Sequence, residues 1–320
     1  MVRNRRWSFA TQCGSMRFAR NSIPPHTARM ATKPTMSMST TAVITTSSVP
    51  VRRGDSLAPV CQTSSVPEVL EVELTRRGVE PLVGRTVAAI EVSDPLVVQD
   101  GVDAMLAGST ITGFDRRGKQ LVVLTNGPTI GVHLGMTGRI LVDDLSAIGE
   151  LAYGSRTDGA RWDRWVLRLH DGTMVRLHDP RRFGRVMLDP DLTRLGPDVL
   201  SLSRDQLIIA LTDRNAPLKA VLLDQRVIAG LGNMLVDEVL WWSGIDPRRP
   251  AGTMTDSEVV ELHRTIRRRL SVMLRRGGSH TGTLSPAHRL PGGRCARDGS
   301  ELARTVVGGR TTVWCRTHQR

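Results

Sequence analysis

Apolar positions along the chain follow two different periods. From residue 67 to about 192 they come in short runs that alternate with polar residues and end at turn formers. Beyond Leu195-Gly196-Pro197 they recur at three- and four-residue spacing, the signature of helices. The first stretch opens with a helix over 67–80. Val69, Val72 and Leu74 supply its apolar face, and Arg76-Arg77-Gly78 closes it. Pro67 suits the first helical position, where an N–H would go unpaired. The acids Glu68 and Glu71 suit the positive end of the helix dipole. Strands are then predicted at Thr86–Val92, Thr110–Phe114 and Gln120–Thr125. A strand pair follows within Thr129–Val142, broken by Gly135 and Gly138. A hairpin joins Trp165–His170 to Thr173–His178 about Asp171-Gly172, and a last strand covers Arg185–Leu188. This is a β-sandwich or barrel of about 120 residues.

The second stretch predicts helices at Ser203–Leu211, Leu218–Ile228, Asn233–Ser243 and Asp256–Arg275, with Ser203 and Thr255 as N-caps. Gly230-Leu231-Gly232 makes a tight turn between two of them. Gly277–Arg294, rich in Gly, Ser, His and Pro, reads as a flexible loop. A hairpin, Ala303–Val307 and Thr311–Trp314 about Gly308-Gly309, ends the chain. The fold class is α+β and multidomain.

Composition changes the picture at the N-terminus. Residues 1–66 hold nine Lys/Arg and one acid, Asp55, so they carry +8 of the chain's net +13. They lack sustained periodicity and any signal-peptide core. A disordered tail, an organellar transit peptide and a mis-assigned start all fit. The last is preferred, because Val66 can be a GTG-encoded initiator directly before Pro67. The remaining body is only mildly basic, at +5, so a nucleic-acid surface must come from local clusters. No apolar run is long enough to span a membrane, which predicts no membrane partner.

Four cysteines do not make a secreted disulfide framework. Cys295-x2-Asp298 and Cys315-x2-His318, joined by a hairpin, have the spacing of a zinc ribbon, with Asp298 the least usual ligand. One structural zinc is expected and no organic cofactor. The competing reading is a metal-free hairpin. Other motifs are weak singly. Asp179-Pro180-Arg181-Arg182-Phe183-Gly184 places arginines beside an aromatic that could enter stacked bases. His133-Leu134-Gly135-Met136 can present a Met from a small-residue loop. Arg116-Arg117-Gly118-Lys119 is a basic turn, and Gly230-Leu231-Gly232-Asn233 could hold a phosphate at a helix N-terminus. Each also reads as ordinary packing or a solvated turn.

Taken in this order, the motifs resemble those of the formamidopyrimidine-DNA glycosylase and endonuclease VIII family of base-excision repair enzymes. The family's opening Pro-Glu-Leu-Pro-Glu-Val-Glu and Arg-Arg-Gly correspond to Pro67–Glu73 and Arg76–Gly78, with Leu70 in place of the second proline. Leu222–Gln225 adds a further match. The resemblance implies an N-terminal β-sandwich with a leading helix (67–192), a helix–two-turns–helix domain (193–276), a short lid or linker (277–294) and a zinc-ribbon-like finger (295–320). It implies that Pro67, as a free secondary amine, attacks the sugar C1′ of a flipped nucleotide, with Glu68 as the proton-transferring acid and Glu71 in support. Lys119 would hold phosphate, with Lys219, Asn233, Arg310 and, where the family often has His, Arg164. Met136, Arg181 and Phe183 would fill the gap in the duplex.

The expected function is therefore a bifunctional glycosylase and abasic-site lyase acting on oxidised purines in double-stranded DNA. It is expected to be monomeric and cytoplasmic at the nucleoid, or organellar if residues 1–66 are a transit peptide. Oxidised pyrimidines are the alternative substrate, because the 277–294 loop is short for a purine-reading lid. An inactive DNA-binding relative is the alternative if residues 1–66 stay attached, since Pro67 is then an amide.

Overall fold

α1 (Val69–Val79) is the element that joins the parts. The computed structural model describes residues 67–148 and 159–320, so the expectations for 1–66 lie outside the described residues. Glu71, in the first turn of α1, reaches back to accept from the Glu68 N–H at 2.9 Å. Pro67 thus precedes the cap residue Glu68 instead of occupying the first helical position. The apolar face of α1 is divided between two cores. Val69 and Leu70 are buried among the C-terminal helices, whereas Val72 and Val79 are buried among the strands.

The strands form two antiparallel sheets. The first runs in the order β1 (Val87–Val92), β7 (Asp163–Leu169), β8 (Met174–His178), β5 (Arg139–Val142), β6 (Leu145–Ser146). The second runs β2 (Ile111–Arg117), β3 (Gln120–Thr125), β4 (Ile130–His133), β9 (Arg185–Leu188). Val87, Trp165 and Leu177 of the first share one core with Leu121, Ile130 and Val186 of the second. A short helix, α2 (Val102–Leu106), closes the edge of this core with Val102 and Leu106; its length left no period to read. The pair expected within 129–142 does not form. β4 pairs with β3 and β9, while β5 pairs with β6 and β8. Gly135, at φ +63°, turns the chain out of one sheet toward the other.

In the second half, α3 (Arg204–Leu211), α5 (Asn233–Ser243) and α6 (Asp256–Arg275) coincide with the expected helices. Ser203 Oγ accepts from Gln206 N at 3.1 Å as the N-cap of α3. α4 ends at Leu223, short of the expected Ile228. Asp224 stops it: its carboxylate accepts from Arg226 N at 2.9 Å, an Asx turn that competes with the helix. β10 (Ala303–Val307) and β11 (Arg310–Trp314) form the terminal hairpin about Gly308-Gly309, both at positive φ.

The segment 277–294, expected to be flexible, is instead pinned at three points. Ser279 N and Oγ donate to Glu71 Oε1 at 2.6 and 2.7 Å. Thr283 N and Leu284 N donate to Glu238 at 2.9 and 2.8 Å. Arg289 pairs with Asp237 at 2.7 Å. Its polar composition suggested solvent, but its partners are buried carboxylates on α1 and α5. Among the described residues no helix is long and apolar enough to cross a membrane.

Candidate active site and nucleic-acid interface

Glu68 is the focus of the site. It is buried, and its carboxylate lies at the N-terminus of α5. Gly232 N and Leu235 N donate to Oε2 at 2.8 and 3.2 Å, and Met234 N donates to Oε1 at 2.8 Å. Three donors and a helix dipole favour the ionised form, but burial disfavours it more strongly. The net effect raises the Glu68 carboxyl to about 7, burial being the largest cause, with Lys119 pulling it down and Glu71 pushing it up. Gly232 leaves the room the carboxylate occupies: a Cβ there would lie 2.2 Å from Glu68 Cδ. Pro67, buried beside it, is held at the head of α1, where Val69 N donates to Gly230 O at 3.1 Å.

Lys119 faces Glu68 from the β2–β3 turn. Gly118, at φ +58°, makes that turn, and a Cβ there would meet Ala229 Cβ at 2.9 Å. Arg116 and Arg117, read from sequence as part of a basic cluster, are the turn's anchors. Arg116 pairs with Asp198 and with Glu73 of α1, and Arg117 donates to Gly196 O at 2.9 Å. Burial pushes the Lys119 ammonium below its usual range, against the pull of Glu68 and Glu71. His133, on β4, lies on the same wall. Its Nδ1 accepts from Gly135 N at 3.0 Å, so the ring is neutral with its proton on Nε2. Burial, then Lys119 and Arg185, lower its pKa.

Glu68, Lys119 and His133 line one cleft of about 950 Å³, whereas Pro67 is buried and is not on its wall. Glu68, Lys119, Met136, Phe183, Asn233 and Arg310 all reach it. Phe183 is half exposed, and the Arg181 guanidinium lies 5.2 Å over its ring. Gly135 allows this loop to meet the Met136 loop, since a Cβ there would sit 2.3 Å from the Phe183 carbonyl carbon. Asn233 Nδ2 donates to Thr311 O at 3.0 Å, tying α5 to β11, while Arg310 is exposed at the hairpin turn.

Two expected phosphate ligands are placed elsewhere. Lys219 is fully buried, with Nζ 2.7 Å from Asp237 and 3.2 Å from Thr311 O. Arg164 is buried behind the Asp179–Gly184 loop, donating to Asp179 O at 2.8 Å. Neither wall of the cleft includes them. Their partners lie far off in sequence, so their burial left no local signal. Conversely, His133, Gln225 and Arg289 line the cleft without having been singled out. His133 and Gln225 lay inside the recognised motif blocks, whereas Arg289 sat in the segment read as a loop.

At the far end of α5, Cys295, Asp298, Cys315 and His318 bring one donor atom each to within 4.8 Å of one another. His318 Nδ1 is 3.5 Å from Cys295 Sγ and 3.2 Å from Asp298 Oδ2, and Cys315 Sγ is 3.1 Å from Asp298 Oδ2. A tetrahedral zinc with bonds of about 2.0–2.3 Å sets donors roughly 3.3–3.8 Å apart, so the cluster fits such an ion. His318 Nε2 lies 3.1 Å from Trp241 O, which fixes the tautomer and leaves Nδ1 free as a ligand.

Residues 66–186 match the formamidopyrimidine-DNA glycosylase N-terminal domain family, and residues 195–285 match the formamidopyrimidine-DNA glycosylase H2TH domain family. A formamidopyrimidine-DNA glycosylase of Laribacter hongkongensis is 36% identical over 284 residues, covering 80% of this chain and all of that protein. One from Moorella thermoacetica is 38% identical over 266 residues, covering 78% and 91%. Among solved structures, Thermus thermophilus MutM (Fpg) is 34% identical with a TM-score of 0.66, over 79% of this chain and 98% of that one. The Lactococcus lactis Fpg in complex with DNA containing an abasic site is 26% identical with a TM-score of 0.67, over 79% and 100%.

Proposed function

The chain belongs to the formamidopyrimidine-DNA glycosylase family, and from that premise we propose that it is a bifunctional DNA glycosylase and abasic-site lyase of base-excision repair, acting on oxidised purines in duplex DNA. The observation that carries this reading is the buried Glu68 carboxyl at the head of α5, raised to about 7 and facing Lys119 across a basic cleft. Near neutral pH such a group holds a proton for part of the time, so it can both give and take one.

In the proposed reaction a damaged nucleotide leaves the stack and enters the cleft. The Pro67 nitrogen attacks C1′ as the glycosidic bond breaks, and the base departs with the bonding electrons and takes up the proton that the nitrogen sheds. Glu68 protonates O4′, the sugar ring opens, and C1′ becomes a Schiff base on Pro67. Loss of the C2′ proton then expels the 3′ phosphate, and a second elimination expels the 5′ phosphate. The attack requires a free secondary amine, so it belongs to a form of the chain that starts at Pro67. Glu71 supports the site by holding the Glu68 N–H and Ser279. Lys119, Asn233 and Arg310 hold the phosphates flanking the lesion. Met136, Phe183 and Arg181 occupy the space vacated in the duplex. Lys219 and Arg164 act indirectly, by fixing β11 and the Arg181 loop.

Zinc, held by Cys295, Asp298, Cys315 and His318, would cross-link the hairpin that carries Arg310. The second reading, preference for oxidised pyrimidines, is favoured by the short, pinned 277–294 segment, which leaves little chain to enclose a purine. Incision of duplexes carrying 8-oxoguanine, a formamidopyrimidine or an oxidised pyrimidine, by protein starting at Pro67, separates the two. Faster cutting of the purine lesions is expected. The reverse order overturns the substrate assignment, and no cutting of any lesion with binding intact overturns the enzyme reading.

A further inference from the structure

Gln225 lies just past α4, on the wall of the cleft, and its side-chain amide is fully committed to backbone. Oε1 accepts from Gly230 N at 2.8 Å. Nε2 donates to Leu231 O at 2.8 Å and to Leu223 O at 2.9 Å. Its own carbonyl accepts from Gly196 N at 3.0 Å. One amide thus ties the end of α4 to both residues of the turn that leads into α5. Gly230 needs such a clamp. It adopts φ +112° and has no side chain, so its backbone carries the largest unfolded-state freedom of any residue type.

The clamped turn touches Glu68 on two sides. Gly230 O accepts from Val69 N, the residue after Glu68, at 3.1 Å. One residue beyond Leu231, the N–H groups of Gly232, Met234 and Leu235 converge on the Glu68 carboxylate. From these contacts we infer that Gln225 is a positioning residue: by bridging Leu223, Gly230 and Leu231 it fixes the backbone donors that hold the Glu68 carboxylate at the head of α5. It acts through the turn, since its side-chain amide bonds go to Leu223, Gly230 and Leu231.

The inference rests on the proposed glycosylase reading only for its kinetic consequence. Its physical consequence is independent of any reaction. Donors to a carboxylate favour the ionised form, so loosening them moves the Glu68 titration upward. The charged groups that face Glu68 are Lys119 of the β2–β3 turn, Glu71 of α1, Lys219 of α4 and, in protein beginning at Pro67, the adjoining Pro67 amine. Replacing Gln225 by Met alters none of them, keeps the side-chain length and removes all three amide bonds.

The test is a carbon-13 NMR titration of the Glu68 carboxyl in wild type and Q225M, both beginning at Pro67, assigned by its disappearance in E68Q. The expected result is a midpoint about one unit higher in Q225M, since one charge-assisted bond is worth roughly that much. Single-turnover incision should shift its alkaline limb by the same amount, with KM for DNA little changed. If Q225M does not fold, Q225N serves: it keeps the amide but is one methylene too short to bridge the turn, and the same shift is expected. An unmoved midpoint in a folded variant, with only thermal stability lowered, overturns the positioning role. A shifted midpoint in protein that cuts no lesion counts for the positioning role and against the proposed reaction, so the two fail separately.

Discussion

Replacing Gly232 by Ala perturbs the Glu68 site through a single atom. The backbone at 232 has φ −123° and ψ −170°, which alanine adopts without strain, so any effect comes from the new methyl group. That methyl would lie 2.2 Å from Glu68 Cδ and 2.5 Å from Oε1, where ordinary contact begins near 3.4 Å. The carboxylate must retreat by more than about 1 Å. Doing so breaks bonds of 2.8, 2.8 and 3.2 Å to three N–H groups together. If Glu68 transfers the proton as proposed, a displacement of that size costs roughly 100-fold in rate, or about 2.7 kcal/mol in barrier. The helix-capping part of the stability cost is smaller. Alanine is a poorer N-cap than glycine by about 1 kcal/mol, and this lowers Tm by roughly 2–4 °C. Single-turnover incision by protein beginning at Pro67, with enzyme in excess, isolates the chemical step from binding. G232A that cuts within roughly threefold of wild type, at an unchanged DNA Kd, would refute the account of Glu68.

Three further outcomes follow from the same geometry. K219M removes one of two cations on the buried Asp237 and should destabilise the fold by about 3–5 kcal/mol while leaving the salt dependence of DNA binding unchanged. K119Q or R310Q should each flatten that salt dependence by about one unit of slope, and a flattened slope in K219M would contradict its burial. For pH, the folded Glu68 carboxyl titrates at about 7 against 4.5 for the ordinary group, so the folded state binds more protons between those values and stability falls as pH rises through that window. E68Q should therefore unfold at the same denaturant concentration as wild type at pH 4 but be more stable at pH 8, by up to roughly 3 kcal/mol; a deficit for E68Q at pH 8 would count against the raised carboxyl. Chelation should remove about one equivalent of zinc, lower Tm and change the emission of Trp241, whose ring meets His318 edge-on at 5.2 Å. Full stability in metal-free protein would favour the bare hairpin.

The helices of the second half were legible because each carries its own punctuation. Thr255 with Glu258 marks the start of α6, and Gly232 and Gly244 bracket α5. The terminal hairpin was legible from Gly308-Gly309 for the same reason. Errors arose where a side-chain contact, local or distant, overrides the apolar period. The Leu218–Ile228 period continues past Leu223, but the Asp224 side chain captures the next turn. Gly135 looked like an interruption within one hairpin, yet it is where the chain changes sheets. The charged residues were hardest. Lys119 and Arg310 line the cleft, while Lys219 and Arg164 are buried on Asp237 and on the Asp179 carbonyl. No local pattern separates a cation that faces a ligand from one that braces a loop. The proposed catalytic pair, Pro67 and Glu68, could be named only by resemblance. Its physical basis, a carboxylate at the head of α5, required the fold to bring residues 68 and 232–235 together.

The central claim is that the Pro67 nitrogen is the nucleophile, and borohydride reduction tests it most directly. Protein beginning at Pro67 is incubated with duplex DNA bearing 8-oxoguanine or an abasic site, then reduced, digested and sequenced by mass spectrometry. The account predicts a covalent DNA adduct on the peptide that starts Pro67-Glu68, and none from protein in which residue 66 still acylates Pro67. An adduct on Lys119, or no adduct from protein that binds the DNA, would contradict it.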